Sequence, residues 1–483
     1  MTDLLKTRRV FVFIFALGLF VMAARAVNDP DFWWHLRTGQ LILQNHGVFH
    51  TDPYSFTRLG RPWVNHEWLS EILIYSVYRT AGWAGLSVTF GAVTAATLFL
   101  VFLRSAGRPY VAAIVTLWGA FLSAPTWGTR PHTLSLLLAS VFLVILERSS
   151  SRPKLLWCTV PLTFLWVNLH GEYALGIGLL ILFFLGIALD ASFRFDSWPE
   201  AKPRLKMLGA AIVACIAVVP LNPAGLEMFS YPFETLRSPA MQSYIDEWFS
   251  PSFHDPKHLP LLFMILAIMA VLAISPRRMR PRELLLLLAT LAAALHSVRH
   301  VGIFVLVAVP ILCQLIQSAL EHHGKTLRPE SATLPPAKLL SNAVVLIVFV
   351  VFIVVRVRQV VQQQPETETR NFPAAAVAYI AANHPAGPIL NHYNWGGYLI
   401  WKLYPEYPVY IDGRADLYGD SFLDDFSSTY YARTDHWQRD LEQWHIRTVL
   451  FPPDAPLISI LRSQSGWHQL YADKSAVILT RLP

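Results

Sequence analysis

Long apolar stretches separated by short polar breaks dominate this chain. Windows at 10–27, 84–103, 109–127, 133–148, 155–168, 173–190, 207–221, 259–275, 284–298, 301–318 and 339–356 read as membrane-crossing helices. Such a helix needs about 20 mostly apolar residues. Eleven crossings are therefore expected, 155–168 being the weakest.

The stretch LSEILIYSVYRTAG (69–82) fits the pattern poorly, because it is short and holds Glu71 and Arg79. An amphipathic helix lying on the membrane surface is the better reading. With it left out and the N-terminus inside, the loops at 1–9, 104–108, 148–154, 191–206, 276–283 and 319–338 fall inside and hold 19 Lys and Arg. The outside loops at 28–83, 128–132, 169–172, 222–258 and 296–300 hold 8. Treating 69–82 as a crossing would reverse every later loop and place SPRRMRPRE outside, against the positive-inside rule.

Beyond 356 the pattern becomes a polar chain with short apolar runs. GPILNHYNW, YPVYIDGR, RTVLFPPD and SAVILTR read as strands, and 372–383 and 436–444 as helices. The expected fold is mainly α: a polytopic membrane domain over 1–356 with a large first external loop (28–83), then a small α/β extracytoplasmic domain over 357–483. QQQPETETRNFP reads as the linker.

Composition agrees with a membrane protein. Hydrophobic residues make up 54% of the 483 and charged residues 15%, against about 25% charged in soluble domains. The net charge of +7 is scattered through short loops, so it marks topology and not a nucleic-acid partner. The N-terminal apolar run is long and AAR is a weak cleavage match, which points to a retained first helix. Cys158, Cys215 and Cys313 lie in apolar runs and read as helix core, with no disulfide framework or CxxC metal site.

With the topology set, the unusual polar residues cluster at outer ends of the crossings. The first loop holds Asp29, Asp31, His35, Asp52, His66 and Glu67; WGTRPHT holds Arg130 and His132; VNLHGEY holds Asn168, His170 and Glu172. PLNPAG leads to YIDEWFSPSF, and LHSVRH holds His296, Arg299 and His300. Each has an ordinary reading. Trp33, Trp34, Trp63 and Trp68 suit an interfacial belt, Arg130 suits snorkelling, and Asp29-Pro-Asp31 suits a helix stop and N-cap. Convergence of five turns on one face argues for more, since ionisable groups at a membrane are costly and mark cavities or functional sites. Arg130 and Arg299 are candidates to grip a phosphate, the guanidinium fork matching its geometry. His132, His170, Glu172 and His300 join them as substrate- or phosphate-binding candidates. Asp29 and Asp31 are the candidate general bases, and His35, His66 and Glu67 are acceptor or loop candidates. The first-loop acids and histidines also suffice in number for a divalent metal ion, although their spacing matches no metal motif. A phosphate at the surface with an acid beside it describes sugar transfer from a polyprenyl-phosphate donor.

These features resemble the GT-C superfamily of integral membrane glycosyltransferases, which includes protein O-mannosyltransferases, lipid A aminoarabinose transferases and oligosaccharyltransferase catalytic subunits. DPDFWWHLRTG, TDPYSFT, RPWVNHEWLSE, NLHGEYALG, LNPAG and EWFSPSF more closely resemble a set of bacterial glycosyltransferase-like membrane proteins, over most of the chain. The resemblance implies a catalytic acid at Asp29 or Asp31, a surface helix at 69–82, an outer C-terminal domain, inversion at the anomeric carbon and residence in a bacterial cytoplasmic membrane. The acceptor would be a lipid, glycan or protein. The WWD-type acceptor motif of oligosaccharyltransferases is missing, which counts against asparagine-linked transfer. A transporter or flippase of lipid-linked glycans and a non-catalytic glycan-binding scaffold are the alternatives. The first would want charges in mid-span and repeated halves, and neither is visible. In the outer domain, Gly396-Gly397 is expected at a tight turn or a close contact, and Asp412, Arg414 and Asp416 either bind saccharide, hold the domain to the membrane part or form a structural turn.

Overall fold

The computed structural model describes residues 6–105, 107–325 and 335–481. The inner loop expected at 319–338 and the N-terminal stretch 1–9 lie partly outside the described residues.

Helices occupy all eleven apolar windows. They are α1 (Thr7–Ala23), the second arm of α3 (Trp68–Arg104), α4 (Pro109–Ser123), α5 (Pro131–Arg148), α6 (Thr159–Leu169), α7 (Tyr173–Ser192), α8 (Trp198–Ala217), α11 (Leu259–Ile274), α12 (Pro281–His296), α13 (Val301–His322) and α14 (Pro336–Asn371). Eight helical segments among the described residues are long and apolar enough to cross a membrane. Leu340, Val344, Ile347, Val351 and Val354 on α14 are exposed, as are Phe263, Leu266 and Met269 on α11. Such apolar faces need lipid to cover them.

The segment 69–82 is helical, as expected, and forms the first arm of α3, set off from the crossing arm by a break at Gly82, whose φ of 57° is open to glycine without strain. Its face is buried: Ser70, Glu71 and Ile74 pack inward, and Glu71 meets Gly39 of α2 (Phe32–Asn45), where a Cβ would lie 2.0 Å from the Glu71 carbonyl. The expected linker is also helical, since α14 runs on to Asn371. Cys215 and Cys313 are buried as expected, whereas Cys158 is exposed in the turn before α6.

Short helices α9 (Tyr231–Arg237) and α10 (Pro239–Tyr244) lie in the loop before α11. The C-terminal region adds α15 (Ala374–Asn383), α16 (Gly396–Leu403), α17 (Ala415–Tyr418), α18 (Asp420–Tyr430), α19 (His436–Gln443) and α20 (Pro456–Arg462) around a four-stranded sheet. Its strands are β1 (Ile389–Asn391), β2 (Thr448–Phe451), β3 (Trp467–Ala472) and β4 (Val477–Arg481), in the order β1-β2-β4-β3. β1 and β2 are parallel, joined by a helical crossover; the other pairs are antiparallel. YPVYIDGR is not a strand of this sheet. It makes single bridges at Val409, to Ile389 on one side and to Ser55 of the first loop on the other.

That link seats the C-terminal region on the first loop. Val409 N–H donates to the Tyr54 carbonyl at 3.0 Å, and Phe56 N–H returns a bond to Val409 at 3.1 Å. The Arg414 guanidinium lies between Asp52 (2.8 Å) and Asp412 (2.7 Å), all three buried. It also covers the rings of Trp63 and Tyr54 at 4.6 and 5.1 Å. Of the three earlier readings of this stretch, Arg414 meets two: a local ion pair with Asp412 and attachment to the first loop through Asp52. Trp33 is fully buried against Trp83, Phe372 and Tyr398, and Trp34 and Trp63 are buried too. These three tryptophans therefore cement the junction and do not form an interfacial belt. Gly396 and Gly397 serve close packing: a Cβ would lie 2.1 Å from the Ile411 carbonyl at the first and 2.6 Å from the Pro30 carbonyl at the second.

Candidate active site

Asp29-Pro-Asp31 ends the chain's exit from α1 and starts α2. Proline cannot continue a helix from within, and Asp29 turns back to accept the Asp31 N–H at 2.9 Å. Asp31 holds the N-cap position of α2, yet its carboxylate caps no backbone N–H; it accepts instead from Trp34 Nε1 at 3.2 Å. Burial, then the neighbouring Asp29 carboxylate, push the Asp31 pKa up to about 7, against the pull of His35, Trp34 and Arg130.

From Asp29 an unbroken chain of charges runs through the other turns. Asp29 Oδ2 lies 3.3 Å from Arg130 Nη1. Arg130, at the start of α5, also binds Glu247 Oε1 at 2.5 Å. Glu247 reaches Arg299 Nη1 at 3.2 Å, and Arg299 Nε donates to Glu172 at 2.8 Å. Glu172 meets His132 Nδ1 at 2.9 Å and His170 Nδ1 at 3.4 Å. His170 Nε2 then lies 3.2 Å from Glu67, which also meets His66 at 3.1 Å and His35 at 3.3 Å. All of these side chains except Arg299, Glu172 and Glu247 are nearly nine-tenths shielded or more.

The electrostatics follow from this pairing. Burial pushes the Glu67 carboxyl up, but His66, His35 and His170 together hold it well below the usual carboxylate range. Burial opposes charge on His66 and His35, and Glu67 nevertheless raises both. Glu247 is held at about 2: burial opposes ionisation, and Arg130 and Arg299 outweigh it. Burial likewise lowers Arg130 while Glu247 and Asp29 raise it further, so the pair stays ionised.

The sequence-predicted residues thus come together almost in full: Asp29, Arg130, His132, His170, Glu172, Arg299, His35, His66 and Glu67 share one network, with Asp31 hydrogen-bonded to its first member. His300 stands apart, its ring 6.0 Å from Trp248 and its buried Nδ1 without a hydrogen-bond partner. Three participants escape sequence reasoning. Glu247 bridges both arginines from a loop more than 100 residues from Arg130; only its place in the acidic stretch YIDEWFSPSF hinted at it. Ser135, one turn into α5, binds His170 Nδ1 at 2.7 Å and takes the Trp166 indole N–H at 2.8 Å. Gly413 packs against the Asp31 carboxylate, where a Cβ would lie 1.7 Å from Oδ1.

For a divalent cation the residues present do not fit. Among the described residues no group of three or more His, Cys, Asp or Glu side chains is gathered as a metal site. Asp29 is turned to Arg130, Asp31 to Trp34, and the histidines to carboxylates.

No family model and no curated protein matches the sequence. The fold, however, is shared with solved structures. The archaeal oligosaccharyltransferase AglB from Archaeoglobus fulgidus, in complex with an inhibitory peptide and a dolichol-phosphate, matches with a TM-score of 0.59 and 10% identity over 92% of this chain and 69% of that one. ArnT from Cupriavidus metallidurans in the apo state matches with a TM-score of 0.51 and 15% identity over 98% of this chain and 97% of that one. The A. fulgidus oligosaccharyltransferase in complex with Zn and sulfate gives a TM-score of 0.53 and 11% identity over 97% and 73%. These neighbours are GT-C membrane glycosyltransferases. This chain is a multi-pass membrane protein that shares the fold of these structures.

Proposed function

We propose that the protein is a membrane glycosyltransferase that moves a sugar from a polyprenyl-phosphate donor to an acceptor on the outer face of a bacterial cytoplasmic membrane. The observation that carries this reading is the convergence of Arg130 and Arg299, from two separate turns, on the single carboxylate of Glu247 beside the Asp29–Asp31 pair. Two guanidinium groups meeting on one anion form a seat that suits a phosphate equally well. The donor phosphate would displace Glu247 from the two arginines. The dolichol-phosphate held by AglB, which shares the fold, supports a lipid phosphate as the anion.

Asp31 is the base in this reading. A carboxyl with a pKa of about 7 is ionised in time to take a proton and basic enough to hold it. The acceptor oxygen bonds to the anomeric carbon as its proton passes to Asp31. The bond from that carbon to the phosphate oxygen breaks, and the lipid phosphate leaves with the electron pair, stabilised by Arg130 and Arg299. Direct attack gives inversion. Asp29 keeps Arg130 beside the pair. The N-terminus is inside and residues 357–483 outside, an orientation supported by the loop-charge bias.

The test is a comparison of lipid-linked sugars and envelope glycans in cells making the wild-type protein, Asp31→Asn, or none. The expected result is that Asp31→Asn, present at wild-type level in the membrane, matches the strain without the protein. Full glycan output from Asp31→Asn removes the assignment of the base, and an unchanged glycan pool in the strain without the protein removes the reaction. Protease added to spheroplasts should cut residues 357–483 first; cleavage only after lysis would reverse the orientation.

A further inference from the structure

The C-terminal region carries a cavity of about 450 Å³ that the transfer reaction described above does not use. This lies within the roughly 300–1,000 Å³ of small-molecule sites. Its walls come from α18, from α19 and Trp444 after it, and from Tyr410, with Arg58 contributed by the first loop. One wall is aromatic. Tyr410 and Phe422 stack with centroids 5.3 Å apart, and Trp444 stands nearly perpendicular to both at 6.2 and 6.4 Å. Tyr410 and Phe422 are buried, while Trp444 is half-buried and keeps part of its ring accessible.

The rim is polar and planar. The Arg58 guanidinium lies over the Phe422 ring at 4.4 Å. Asp425 is 43% exposed, and its nearest cations, Arg439 and His436, lie 3.7 and 3.9 Å away, beyond hydrogen-bond distance. Its oxygens therefore keep open acceptor positions. Gln443 adds an exposed amide that both donates and accepts. Carboxylates and guanidinium groups of both signs line the space, so it holds no one-sided field to select an ion.

Trp444, the one ring of the three with an accessible part, offers a surface for apolar C–H faces, with Tyr410 and Phe422 buried behind it, and planar polar groups on the rim pair with adjacent hydroxyls. A sugar ring presents both at once. We propose that this cavity is a binding site for a neutral saccharide of one or two hexose units. The walls are tied to the membrane site through covalent neighbours: Ser238 binds Asp420 at 2.5 Å and Tyr244 binds Asp424 at 2.8 Å, on the segment that leads to Glu247. Binding here does not require transfer, so its failure leaves the transferase reading standing.

Saturation-transfer difference NMR on the full chain, in a detergent without a sugar headgroup, tests it with cellobiose, maltose and N,N′-diacetylchitobiose. The expected result is transfer to the C–H protons of at least one disaccharide. In Asp425→Ala/Gln443→Ala, changed only at the exposed rim, affinity falls about tenfold with an unchanged melting temperature; Trp444→Ala loses the signal. No transfer to any of the three, or undiminished affinity in the rim variant, overturns the proposal. Trp444 also packs on Phe56, so the rim variant decides should Trp444→Ala fail to fold.

Discussion

Gly413 presses its backbone onto the Asp31 carboxylate so closely that a methyl group there would sit 1.7 Å from Oδ1. The acid of the first loop is thus held by the C-terminal region, 382 positions further along the chain. Gly413→Ala must displace either Asp31 or its own turn. Transfer is expected to fall about 100-fold, the cost of misplacing a reacting group by about 1 Å. Measurement of sugar transfer alongside melting in detergent checks this: activity should fall far more than stability.

The pH dependence follows from Asp31. Its pKa is raised to about 7 by burial and then by Asp29, so the base is protonated and idle below that value. The transfer rate should rise with pH, about tenfold per unit on the acid side, and level off above about 7. In Asp29→Asn the second of those causes is gone, and the inflection moves to lower pH. Initial rates from pH 5 to 9 report it; an inflection that stays put in Asp29→Asn refutes the coupling of the two acids.

Glu247 is the hinge of the charge chain. Glu247→Gln leaves Arg130 and Arg299 with weakened partners, a loss of about 2 kcal/mol for a partly shielded bridge. The sign with pH is fixed by its pKa, depressed from 4.5 to about 2. Its stabilising contribution is complete above about 4.5 and is lost as pH falls toward 2. The melting-temperature gap between wild type and Glu247→Gln should be widest at neutral pH and close on acidification.

Arg414 fastens the C-terminal region to the first loop through Asp52 and Asp412. Arg414→Lys keeps the charge but loses the planar fork that reaches both acids and covers Trp63. A destabilisation of about 3 kcal/mol is expected, read as faster proteolytic release of residues 357–483. Equal proteolysis rates would show that the aromatic junction around Trp33 suffices without it.

Much of the site was legible because polar groups are costly beside lipid, and a chain that keeps them at five turns between apolar helices announces their use. Asp29, Arg130, His170, Glu172 and Arg299 are found together for that reason. Glu247 was hidden, because an acid in a long aqueous loop has no such cost and looks like any solvated charge. The tryptophans misled in the opposite direction: a ring near a membrane surface fits a belt until a second domain is seen to cover it, as Phe372 and Tyr398 cover Trp33. The arm 68–81 shows the same limit. Its helix was legible, but not the partners of Glu71: the Asn65 amide donates to that carboxylate at 2.9 Å and His35 lies 3.6 Å from it inside the protein.

By itself the sequence determined where apolar helices form and which polar residues sit at their ends, since both follow from the local cost of placing a side chain in hydrocarbon. Only the tertiary structure decided which of those charges neutralise one another, and that Gly413 and Arg414 lock the acidic motif from above. Those pairings depend on distances between segments hundreds of residues apart, which no local preference encodes.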